Sequence, residues 1–147
     1  MSLKDQIFAD MKTAMREKNA SQLESIRMLR AAIQRKEVDD RVEIDDDEVV
    51  TIVQKQIKQS KDAIKLFVEG ERTDLADKEQ VHVDNLKVYL PEQLSEEEVA
   101  TAVADAIDKT GASNMKDMGK VMGLLKGQLQ GKADMGKVSG IIKSILS

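Results

Sequence analysis

The residues of this chain best suited to chemistry are lysines and glycines near its C-terminus. Lys116, Lys120, Lys126, Lys132, Lys137 and Lys143 stand among Gly119, Gly123, Gly127, Gly136 and Gly140. From Gly111 to Ser147 those six lysines face only two acids, Asp117 and Asp134, a local charge of +4. An ammonium group is a compact point charge on a flexible stem, so such a set suits a polyanion held by charge and close approach, not a bond-breaking centre. The remainder of the chain is acidic. Residues 1–94 carry 16 bases and 20 acids, and residues 95–110 carry one base and five acids, so the basic end is segregated within a molecule of net charge −4.

The spacing of these residues repeats. Asp117-Met-Gly-Lys-Val-Met-Gly-Leu-Leu-Lys126 and Asp134-Met-Gly-Lys-Val-Ser-Gly-Ile-Ile-Lys143 are identical at seven of ten positions, seventeen residues apart. At about 100° per residue, Met115, Met118, Met122, Leu125 and Leu129 share the first copy's expected core side. Lys116, Gly119, Lys120, Gly123, Lys126, Gly127 and Gln130 share the opposite arc, with no acid in it. In the second copy Gly136, Lys137, Gly140, Lys143 and Ser144 share an arc while Val138, Ile142 and Ile145 face elsewhere. Glycine inside an exposed helix costs roughly 1 kcal/mol relative to alanine, so three in one helix imply a need for a smooth surface. Two needs fit. Another helix of the protein or of a partner packs on the small residues, or a phosphodiester chain approaches between the lysines. The acid-free arc in both copies favours RNA, with Lys116, Lys120, Lys126, Lys132, Lys137 and Lys143 on phosphates and Gly119, Gly123, Gly136 and Gly140 admitting the backbone. The alternative is a protein-interaction module that docks a partner through its glycine faces.

Helices must carry these residues, and the rest of the sequence predicts an all-α fold. Aromatics are 2% of the chain and there is one proline, so strand formers are scarce and helices run uninterrupted. Leu3, Ile7, Met11 and Met15 form one stripe; Leu23, Ile26, Leu29 and Ile33 form a second, opened by a Ser21–Glu24 capping box. A third helix is expected from about Asp46 to Glu69, capped by Asp45 or Asp46, with Val49, Val53, Ile57, Ile64 and Phe67 inward and Gly70 as its stop. A fourth carries Leu75, His82, Leu86 and Leu90 to Pro91. Ser95 with Glu98 opens a helix through Val99, Val103 and Ile107 to Gly111, and two shorter helices follow, near Met115–Gln130 and Asp134–Leu146. The expected organisation is an N-terminal helical bundle over residues 1–91 and a three-helix subdomain over residues 92–147.

The same stretches carry a family likeness. Lys116-Asp-Met-Gly-Lys-Val-Met-Gly123 with Gly131-Lys-Ala-Asp134, Arg27-Met-Leu-Arg-Ala-Ala-Ile33, Gln59-Ser-Lys-Asp62 and Tyr89-Leu-Pro-Glu-Gln-Leu-Ser95 together resemble YqeY-like proteins and the tail domain of the B subunit of tRNA-dependent Glu/Asp amidotransferase. The resemblance spans essentially the whole chain. It implies a two-part helical fold and a tRNA-associated accessory role, in a family described under carbon–nitrogen ligase activity with glutamine as amido-N-donor. It implies tRNA as a partner, with an aminoacyl-tRNA synthetase or amidotransferase as a further one. The body that activates a carboxylate and the amidase that releases ammonia have no counterpart in the sequence, so catalysis by this chain alone is not expected.

Other constellations are weaker. His82 is the single histidine, at core-edge spacing with Leu75, Leu86 and Tyr89, and Asp84 falls on another side of its helix; a packing or solvent-edge role is expected. The acids from Asp39 to Glu48 lack the central glycine and terminal glutamate of a calcium loop and read as helix-start charges. Cysteine is absent, excluding disulfides and thiolate metal sites; no metal or cofactor is expected. Arg27 and Arg30 with Lys58 and Lys61 weakly suggest a further charged surface. No run of 18 apolar residues exists and the N-terminal segment lacks the apolar core of a signal peptide, so no membrane association and a cytoplasmic location are expected.

Overall fold

The structure, a computed structural model, describes residues 2–147, and the described residues form seven α-helices and two short 3-10 turns with no strand. The chain divides into two compact units, Met1–Leu90 and Pro91–Ser147.

Unit 1 holds α1 (Leu3–Arg16), α2 (Ala20–Asp40), α3 (Asp46–Glu69) and α4 (Thr73–Leu86), followed by a 3-10 turn at Lys87–Tyr89. Its core joins Ile7, Ile26, Leu29, Ile33, Val49, Val53, Ile57, Val83, Leu86 and Tyr89. The second helix starts earlier than the Ser21–Glu24 box implies: Asn19 is the cap, its side chain accepting from the Gln22 amide at 3.1 Å, and Ser21 lies inside the helix. Asp45 caps α3 by accepting from the Glu48 amide at 3.0 Å, and Asp46, Asp47 and Glu48 fill the first turn where the helix dipole favours negative charge. Met15 does not continue the α1 stripe; it is 51% exposed, and Ala14 takes the buried place.

Unit 2 holds α5 (Glu96–Thr110), a 3-10 turn (Met115–Asp117), α6 (Met118–Leu129) and α7 (Met135–Leu146). The reciprocal box at Ser95 and Glu98 forms as expected, and Gly111 ends α5 with a left-handed φ of 65° that a side chain would strain. All three helices feed one core of Val99, Val103, Ala106, Val121, Leu125, Leu129, Ala133, Val138, Ile142 and Leu146. The link between α6 and α7 is pinned from the unit's own N-terminal strand of chain: Gln93 Nε2 donates to the Gly131 carbonyl at 2.7 Å, and the Leu94 amide donates to the Lys132 carbonyl at 2.9 Å. Gly131, at φ 82°, makes that turn possible.

Candidate nucleic-acid interface

The sequence repeat is a structural repeat. α6 and α7 have twelve residues each and start seventeen residues apart, and their buried residues, Val121, Leu125 and Leu129 against Val138, Ile142 and Leu146, keep that offset. Each triad steps by four, which places it on one narrow stripe. Val121 was not singled out by the wheel and is fully buried, whereas Met115 is 42% exposed. The reason is local geometry: α6 begins at Met118, and Met115 opens a 3-10 turn to which a 100° step does not apply. At the other end Leu146 enters the core and Ile145 is half exposed.

Opposite these stripes lie the lysines and glycines. Gly123 is about 160° around the helix from Leu125, and Gly140 stands likewise to Ile142. Lys116, Gly119, Lys120, Gly123, Lys126, Lys132, Gly136, Lys137, Gly140 and Lys143 are all exposed. A methyl group built on Gly119, Gly123, Gly127 or Gly140 meets no neighbouring atom within 4 Å. The glycines are therefore not seats for another helix of the same unit. Gly136 differs, since its added carbon would lie 3.2 Å from Asp134 Oδ1, the oxygen that caps α7 by accepting the Gly136 amide at 2.8 Å.

Electrostatics follows the same division. The ion pairs of the described residues all fall between Lys4 and Lys87, so none of the six C-terminal lysines is tied to a carboxylate. Asp117 and Asp134 are spent on the helix starts: Asp117 Oδ2 accepts the Ser113 amide at 3.0 Å, and Asp134 is the α7 cap. The acids of unit 2 otherwise sit mostly on α5, with Glu96, Glu97, Glu98, Asp105 and Asp108 exposed there. Within this unit one helix is acidic and two are basic.

The remaining candidates separate from this surface. His82 is buried, not at the edge of its helix, and its Nδ1 lies 2.5 Å from Ser25 Oγ. Asn85 Nδ2 donates to Ser25 Oγ at 3.1 Å and to Ser21 Oγ at 3.3 Å, while Ser25 Oγ donates to the Ser21 carbonyl at 3.2 Å. With that hydroxyl proton used on Ser21, a proton on His82 Nδ1 completes the set, and the cluster joins α2 to α4 as a satisfied polar contact. Ser25 is 1% exposed, so a substrate has no route to its hydroxyl. Several acids between Asp39 and Glu48 are held locally: Asp40 pairs with Lys36 at 2.8 Å, Glu43 with Lys4 at 3.2 Å, and Asp45 caps α3. Just before them Glu37 accepts from Lys4 at 2.9 Å and from the Ile44 amide at 3.2 Å, and the lysine first, then the amide, lower its carboxyl below the usual carboxylate range. Among the described residues no group of three or more His, Asp or Glu side chains is arranged to hold a metal ion. Arg30 turns to α1, away from Lys58 and Lys61, which lie exposed on α3.

Residues 4–146 match the family described as Yqey-like protein. The chain belongs to the YqeY-like family. It is 33% identical over 127 residues to the altered inheritance of mitochondria protein 41, mitochondrial, of Pyrenophora tritici-repentis, a match covering 85% of this chain and 70% of that protein. It is 31% identical over 117 residues to the protein of the same name from Vanderwaltozyma polyspora, covering 74% of this chain and 63% of the relative. An uncharacterized protein of Schizosaccharomyces pombe is 42% identical over 48 residues, 33% of this chain. The names of these two relatives overturn the cytoplasmic location expected from the N-terminal residues. Relatives that span most of this chain are named as mitochondrial, and composition near an N-terminus says nothing about that address. No helix of the described residues is long and apolar enough to cross a membrane.

Proposed function

We propose that the YqeY-like chain binds RNA, with tRNA as the preferred class, through the exposed lysine–glycine strips of α6 and α7. The observation that carries this reading is the open space above Gly119, Gly123, Gly127 and Gly140 beside lysines without ion partners. Glycines that pack nothing inside the unit leave bare helix backbone for an outside ligand, and the adjacent ammonium groups suit phosphates. Lys120 and Lys126 stand about 9 Å apart along the α6 axis, far enough to engage separate phosphates. The resemblance to the amidotransferase tail domain points to tRNA, with a synthetase or amidotransferase as the assembly that uses it. The chain acts there as an accessory holder of RNA, and its part in amide transfer is to position, not to catalyse.

A gel-shift titration of the full chain with total tRNA tests this. Lys120→Glu with Lys137→Glu removes one central cation from each strip and places an acid there, and binding is expected to be lost. Unchanged affinity sinks the proposal. Replacing Gly123 and Gly140 with alanine while keeping every lysine discriminates the protein-docking alternative, in which a bound protein is lost and RNA affinity never existed.

A further inference from the structure

A second surface is built along the outer groove between α1 and α2. Lys4 pairs with Glu37 and Met11 lies against Arg30, so the two helices run antiparallel in a fixed register, and continuing it sets Met15 at the level of Ile26, with the exposed Arg27 next along α2. The groove carries an apolar row of Phe8, Met11 and Met15, with Phe8 40% and Met15 51% exposed. Cations flank that row. Lys12 Nζ sits 4.5 Å and the Arg30 guanidinium 4.8 Å from the centre of the Phe8 ring, and Arg30 Nη1 donates to Met11 Sδ at 3.2 Å. Neither Lys12, Arg27 nor Arg30 has a carboxylate within ion-pair distance among the described residues. At one end the groove deepens into a 120 Å³ cavity whose apolar wall is Ile7, Phe8 and Ile33 and whose polar wall is Arg30, Gln34 and the Lys4–Glu37 ion pair.

We infer that this groove docks an acidic amphipathic helix of a partner protein. The chemistry is complementary at each point. A helix with an apolar stripe lays it on Phe8, Met11 and Met15, and its flanking carboxylates meet Lys12, Arg27 and Arg30. Methionine, unbranched and polarisable, adapts to a partner's side chains, and the Ile7, Phe8 and Ile33 wall of the cavity receives one apolar anchor. A protein helix fits better than RNA. The Phe8 ring, which would be the stacking platform for a base, already holds two cations over it, and exposed methionines offer nothing to a phosphate. This surface belongs to unit 1 and does not depend on the RNA reading.

The test uses the full chain and a fluorescein-labelled helical peptide with leucines at every third and fourth position flanked by glutamates, read by fluorescence anisotropy. A matched peptide with lysine in place of glutamate and a 20-nucleotide single-stranded RNA are the other arms. The acidic peptide is expected to bind, more weakly in added salt. Met15→Ser and Arg27→Glu, both on exposed side chains, are each expected to weaken it by about tenfold, since each removes a central contact or an unscreened charge pair. Circular dichroism confirms that the variants keep their helix content. Equal binding of the lysine peptide, no binding of the acidic one at millimolar concentration, or RNA binding that Arg27→Glu abolishes overturns the inference.

Discussion

Replacing Gly123 and Gly140 with alanine should make the protein more stable while damaging its capacity to bind. Both residues lie mid-helix, six positions into α6 and α7, where glycine carries its full conformational cost. Nothing within 4 Å would touch the added methyl at either site. Alanine is therefore worth about 1 kcal/mol at each position, and about 2 kcal/mol for the pair. With a urea dependence of about 1–3 kcal/mol per molar for a small protein, the unfolding midpoint of the double variant should rise by on the order of 1 M. Far-ultraviolet circular dichroism in a urea titration reads it. Gly136→Ala is the internal control. There the new carbon crowds Asp134 Oδ1 at 3.2 Å and disturbs the α7 cap, so no comparable gain is expected. A midpoint that stays fixed or falls in the double variant would refute the reasoning, because it would mean that the space over these glycines is filled by the protein's own atoms. Increased stability combined with weakened tRNA affinity is the signature of glycines kept for an outside ligand.

Two further perturbations follow from the geometry. Tyr89 Oη donates to Asp10 Oδ2 at 2.6 Å, and burial, then the Asp10 carboxylate, raise the phenol well above its ordinary value of 10.0. The folded state thus holds a proton that the unfolded chain releases near pH 10, so stability is full below that pH and declines as pH rises above it; Tyr89→Phe should flatten that alkaline decline in urea titrations between pH 8 and 11, and an unchanged slope would count against the assignment. Leu125→Ala empties the centre of the unit 2 core, where the side chain is fully buried, and should cost about 2–5 kcal/mol in a urea titration, whereas Ile145→Ala at the half-exposed neighbouring stripe of α7 should cost far less.

The helical fold was legible because apolar residues at four-residue spacing mark it directly: Val49–Val53–Ile57 and Val99–Val103 became core as the pattern requires. Capping was legible where a reciprocal pair forms, as at Ser95 and Glu98, and misleading at Ser21, because a spacing of three between serine and glutamate also occurs inside a helix that Asn19 already caps. Met15 and Met115 misled for another reason. Each sits at the edge of an element, where the wheel extrapolates past the residues that pack. The repeat exposed the lysine–glycine strips in sequence, since identical faces in two copies reveal themselves by comparison. The α1–α2 groove could not be read that way. Arg30 was visible as a charge, but its neighbours Phe8 and Met11 lie nineteen or more residues away in the chain and come together only when two helices pair.

The net charge of −4 opposes an anionic ligand at long range but hardly at contact, because charge acts on two length scales. Beyond about 8 Å at physiological ionic strength exposed charges are screened, so the acids of distant helices barely weaken what the α6 and α7 lysines offer at contact. At longer range and low salt the whole molecule repels a polyanion, and within unit 2 the acidic α5 helix adds to that repulsion on its own side. A uniformly basic protein would hold RNA in any orientation; on the RNA binding proposed above, the segregated charge of unit 2 would trade affinity for a defined one. The same reasoning explains why the α1–α2 groove suits a small acidic helix better than a long polyanion. Its three cations are embedded in a unit rich in acids, so attraction extends only over the groove itself.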